Sequence, residues 1–288
     1  MKSILTVVFL FSLGNSAFPQ NTILWEIRDP LTSKQSFMVG TFHQFGNSFV
    51  DSIPALKEAL LKSELAIFES IDDGEATIHT INARNPSMEI ERHFSQKDID
   101  KLKVIGKSLN VSIYKVEPIE LLFALRQNFQ KTKCKTVSPT DTWDHFDNYL
   151  IHLAKINGKE LVGLETDSLQ LSLINEEYNS PDWKEAKKVI RYWIQKLSSN
   201  EIAEGDCLFT NQYRRFELDY ELAVDCPDDR LIAERNEAWL KRLPELISTK
   251  NCFIAVGFLH LNYTCGLLEQ LKLRGFQVRP VAIKKITP

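Results

Sequence analysis

Phe253–Leu261 reads FIAVGFLHL, an apolar run that breaks at Gly257 and places His260 three residues further on. A strand with one wet face alternates polar and apolar residues. An unbroken run such as this one marks a strand covered on both faces. Phe37–Phe45, FMVGTFHQF, repeats the layout with Gly40 and His43. Two shorter runs follow the same rule: LAIF precedes Glu69, and ELVGL precedes Glu165. Strands buried on both sides require helices above and below them, which predicts an α/β fold (α+β in its helical segregation).

Working outward, ILWEIRD alternates, DPLTSKQ supplies turn residues, and SFMVGTF returns, so the chain opens on a hairpin. A helix over SIPALKEALLKS then leads to ELAIFES. The chain closes on NCFIAVGFLH, a helix GLLEQLKLRG and a strand FQVRPVAIK, a βαβ unit. The central mixed sheet is therefore fed by both chain ends and flanked by helices. Two helical insertions are expected at about 75–155 and 168–245, within a single domain over 20–288. SPTDTWDHFDNYLIHLAKING reads as one helix ending at Asn157-Gly158. Its Asp141, Asp144, His145 and His152 then fall on a solvated, charged face.

Length and composition suit a globular chain with a sizeable core: 288 residues, 43% hydrophobic and 25% charged. The net charge of −3 and the lack of a basic run exclude a nucleic-acid groove. MKSILTVVFLFSLGNSAFPQ has a Lys2 start, an apolar stretch too short to span a bilayer, and small residues after it. A signal peptide over 1–19 is expected, and with it an exported, periplasmic or secreted protein without a membrane span. Five cysteines leave an odd thiol, and their pairing is not readable from spacing.

His43, Glu69, Glu165 and His260 each sit at or just past the C-terminal end of a predicted strand. In open α/β sheets that edge is where ligands bind. Two imidazoles and two carboxylates suit a divalent transition metal (Mn, Co, Zn or Fe). The same groups also serve general acid–base chemistry without a metal. No Gly-x-Ser-x-Gly elbow, His-Glu-x-x-His motif or phosphate loop is present, so serine hydrolase, zincin and P-loop readings lose their support.

The paired Gly-x-x-His motifs, the GLET block and the segment RNEAWLKRLPELISTKNCFIAVGFLHL together resemble the TraB/GumN family, related to the Tiki proteins. The likeness runs over most of residues 23–282 and is weakest in the helical insertions. A wider clan includes erythromycin esterases and ChaN-like haem-binding proteins. The resemblance implies a metal-dependent, protease-like hydrolase acting on a peptide, protein or small ester. His43, His260 and Glu165 would be metal ligands, Glu69 the acceptor of the water's proton, and Arg235 an oxyanion stabiliser. A metal-independent esterase and a non-enzymatic envelope protein binding haem, metal or peptide are the alternatives. LNYTCGLL follows His260 where relatives carry Pro and Gly, and no C-terminal anchor of the Tiki kind is expected.

Overall fold

The computed structural model describes residues 21–72, 74–177, 182–227 and 230–284. The leader expected over 1–19 lies outside them. One mixed sheet organises the chain: β1 (Leu24–Arg28), β2 (Gln35–Thr41), β3 (Leu65–Phe68), β4 (Glu160–Gly163), β5 (Cys252–Gly257) and β6 (Gln277–Pro280), in the order β4-β3-β5-β2-β1-β6. β5 pairs in parallel with both β2 and β3, and β3 in parallel with β4. Only β1 opposes its neighbours.

This order explains the apolar runs. LAIF of β3 is buried throughout, and CFIAVG of β5 is buried up to its glycine, because these central strands have helices on both faces. The edges read differently. ELVG of β4 is only half-buried, although its sequence resembles a core strand. β6 stops at Pro280, which an edge strand tolerates because proline has no N–H to donate to a ladder. The terminal strand–helix–strand unit is present, yet β6 does not neighbour β5. β2 and β1 lie between them, since the opening hairpin takes the place beside β5.

The main core packs on the sheet, with Trp25, Phe45, Phe68, Phe253 and Trp239 among its largest fully buried side chains. A second apolar cluster, including Leu102, Leu121, Leu125, Trp183 and Ile190, is built within the helical insertions. Disulfides Cys134–Cys207 and Cys226–Cys265 use four of the five cysteines. Cys252 is the odd one, buried in β5, and burial pushes its thiol up to about 11, which makes it unreactive. Among the described residues no helix is long and apolar enough to cross a membrane.

The two motif glycines are needed for different reasons. A Cβ on Gly40 would stand 2.8 Å from Leu261 Cδ1 and 3.2 Å from Phe258 Cα, in the 3-10 turn Phe258–Leu261 that follows β5. A Cβ on Gly257 would stand 3.0 Å from the Glu69 carboxylate. Gly40→Ala is expected to lower unfolding free energy by about 1–3 kcal/mol through overpacking. Gly257→Ala should instead displace the Glu69 carboxylate at a smaller cost in stability. Urea denaturation of the two variants separates them.

Candidate functional site

β2, β3, β4 and β5 point the same way, so residues leaving their C-terminal ends meet at one sheet edge. Gly257 marks the meeting point. Around the position a Cβ would take there stand Glu69 Oε1 at 3.0 Å, His260 Cδ2 at 3.6 Å and His43 Nε2 at 3.6 Å. The two Gly-x-x-His motifs therefore furnish one place, with Glu69 from β3 between their imidazoles.

The four strand-end residues nevertheless divide into two groups. Arg235, on the helix Arg230–Trp239, organises the first. Its Nε donates to both Glu165 oxygens at 3.1 Å, and its Nη2 donates to Glu165 Oε1 at 2.6 Å and to Glu69. Its Nη1 lies 3.0 Å from His260 Nε2. Arginine has no acceptor, so His260 Nε2 must accept this bond. His260 Nδ1 then donates to Asn236 Oδ1 at 2.8 Å, which fixes the neutral tautomer. Burial pushes that imidazole down to about 3; Glu69 opposes the shift, while Arg235 and His43 reinforce it. Trp239 closes the group. It donates to Glu165 Oε2 at 3.1 Å, and its ring lies under the Arg235 guanidinium and against His260.

Glu69 is held on every side. Oε1 accepts the Gly257 N–H at 2.6 Å, and Oε2 accepts from Gln170 at 2.8 Å as well as from Arg235. Burial alone would favour its neutral form. His260, Arg235, His43 and the Gly257 N–H outweigh burial and hold the carboxyl well below the usual range. A carboxylate held this way accepts a hydrogen bond readily and a proton poorly.

His43 belongs to the second group. Its Nδ1 is 2.6 Å from Asp147 Oδ2, while Thr41 Oγ1 donates to Asp147 Oδ1 at 2.8 Å. His145 stacks on His43 with ring centroids 5.2 Å apart. One donor atom from each of His43, His145 and Asp147 lies within 4.8 Å of the other two. Among the described residues this is the single set of three or more His, Cys, Asp or Glu so disposed. The ligand set expected from sequence, His43 with His260 and Glu165, is thus split between two groups. The lone pair of His260 Nε2 and both oxygens of Glu165 are engaged by Arg235 and Trp239, whereas His43 faces partners from a different part of the chain.

Burial would push His43 down, but the Asp147 charge and hydrogen bond, with Glu69, overcome it and hold the imidazole at about 9. His145 moves the other way, to about 4, through burial and the charge on His43. Asp147 is lowered, since His43 outweighs the cost of burying it.

Sequence reasoning passed over His145 and Asp147. The helix there is Phe146–Ile156, starting later than the periodicity suggests, and His145 is its cap, accepting the Asn148 N–H. Residues 138–145 form a loop tied to the segment after His43: Phe146 N–H donates to His43 O, and Asn47 N–H to Trp143 O. His145 and Asp147 therefore turn into the site instead of lying on a solvated face. Asp141 is half-buried and pins the loop, its carboxylate accepting the Ser48 and Ser138 N–H groups.

The TraB/PrgY/gumN family matches residues 23–280, nearly the whole chain. No curated protein and no solved structure matches it. The match spans both Gly-x-x-His motifs, Glu69, Glu165 and Arg235, and the chain belongs to the TraB/PrgY/gumN family.

Proposed function

We propose that the protein is an exported, metal-dependent hydrolase of carbonyl compounds, with its reacting centre at His43. The observation that carries this reading is the convergence of His43, His145 and Asp147 beside Glu69 on the wall of one cavity. Two imidazoles and a carboxylate at that spacing fit a divalent transition metal with a coordination position left open. Bound there, such an ion would lower the pKa of a water and polarise the scissile carbonyl.

The chain's own groups set up the rest. Thr41 fixes Asp147, and Asp147 fixes the His43 ring. Glu69 Oε1, anchored by Gly257, accepts a hydrogen bond from the attacking water and orients it. Arg235 helps hold Glu69 ionised, ties Glu165 to the same sheet edge and keeps the His260 ring in place. In the hydrolysis, the water oxygen joins the carbonyl carbon, the acyl C–O or C–N bond breaks, and the leaving group takes one of that water's protons while the other stays with the acid product.

A metal-independent reading has one observation in its favour, the 2.6 Å bond between His43 Nδ1 and Asp147, which suits an imidazole oriented as a base. His145 separates the two. If a metal is required, His145→Gln and exhaustive chelation each abolish hydrolysis of an ester and peptide panel, and adding Mn, Co or Zn restores only the chelated wild type. Activity that survives both treatments would support the metal-free base.

Metal uptake should also depend on pH in a defined direction. The lone pairs of His43 are needed by a metal, and the imidazole holds its proton up to about pH 9. Binding near pH 7.5 is therefore expected to release close to one proton per site from His43. Affinity should rise about tenfold per pH unit below 9 and level off above it. Calorimetry in buffers of different ionisation enthalpy measures both.

A further inference from the structure

The cavity that holds His43 is larger than a hydrolytic centre needs. It has a volume of about 490 Å³, and it lies where the helical insertion meets the sheet. His43, Glu69, His145 and Asp147 form one end. The other is lined by Ile78, Ile81, Ile105, Leu109, Ile113 and Leu121. These come from the helices Glu75–Ala83, Gln96–Ser108 and Pro118–Thr132 and from the segment after the second of them.

Resting on the hydrolase reading, we infer that the substrate is a neutral acyl ester or amide, its straight aliphatic chain lying among these side chains and its carbonyl at His43. Three observations point to this class. At roughly 30 Å³ per water-sized group, the volume holds on the order of sixteen non-hydrogen atoms, more than any single amino-acid side chain. Among the described residues no Lys or Arg lines the cavity, so its apolar end offers no cation to a charged group, and the polar group of a ligand is left to the His43 end. Two of its acidic groups are already engaged: Glu120 is bound by Arg84 at 2.8 and 2.9 Å, and Asp72 accepts the Asp167 N–H. Most of the apolar wall is also helical. The backbone groups there are bonded within the three helices, which leaves little ladder for an extended peptide.

Calorimetric titration with neutral primary alcohols, from butanol to dodecanol, reads the chain site without any reaction. Affinity is expected to rise about fourfold per added CH₂ until the cavity is filled. In Ile105→Trp and in Ala124→Trp, whose position on the helix Pro118–Thr132 also lines the cavity, with folding checked by circular dichroism, the rise should stop at a shorter chain. For p-nitrophenyl acyl esters, kcat/KM should follow the same dependence on length. Alcohol affinity that is flat with chain length, or a rise unchanged in both folded variants, overturns the inference even if short esters are hydrolysed. Chain-dependent binding without turnover of any ester upholds the chain site and removes the hydrolase reading instead. Peptide turnover with flat alcohol binding overturns the acyl chain in favour of a peptide substrate.

Discussion

Arg235→Met is expected to destabilise the protein by about 3–5 kcal/mol, the cost of leaving buried charge without its partner. Glu69 and Glu165 have side chains 7% and 3% exposed, and Arg235, itself 11% exposed, is the cation bonded to both. Met keeps much of the side-chain stem and its packing on Trp239 but removes every donor. At this chain length the loss corresponds to a fall of very roughly 6–15 °C in Tm. Arg235→Lys should recover only part of it, because a point charge cannot serve two carboxylates and His260 as the planar fork does. Adding Glu69→Gln and Glu165→Gln to Arg235→Met should restore most of the stability, since the buried charges then leave together. Thermal and urea unfolding of the four proteins checks this. A single variant as stable as the wild type would show that the Arg235 cluster does not hold this edge together.

His43→Asn is expected to have the opposite profile. Its amide N–H can still donate toward Asp147, and the position is 36% exposed, so unfolding free energy should change by no more than about 2 kcal/mol. Hydrolysis should fall by about 10²–10⁴, the range for losing a group that acts on the reacting atoms. Steady-state kinetics should place the loss in kcat more than in KM. Activity within a few-fold of wild type would remove His43 from the chemistry. Taken together, the two substitutions separate the group that holds the site from the group that works in it.

The fold was readable because its signal is local. Continuous apolar runs ended by glycine mark β2 and β5, and LAIF marks β3, since burial on both faces leaves no room for alternation. That parallel strands deliver Glu69, Glu165, His43 and His260 to one edge follows from the same pattern. The partition among these residues was not readable, because it depends on side chains far away in sequence. Asp147 reaches His43 across 104 residues, and Arg235 reaches Glu69 across 166. The helix start at Phe146 hid His145 and Asp147, whose acidic surroundings look like a wet helix face. Pro139 is the local signal that the helix begins later. Gln170, Asn236 and Trp239 carried no signal of their own; each matters only through the carboxylate or imidazole it bonds.

The proposed metal position is with His43, His145 and Asp147, not with His260 and Glu165. X-ray absorption at the metal edge, on Zn- or Co-loaded protein, counts imidazole ligands directly. Two imidazoles in the wild type and in His260→Gln, with one or no bound metal in His145→Gln, is the result expected. An imidazole lost in His260→Gln, with His145→Gln unchanged, would contradict the account.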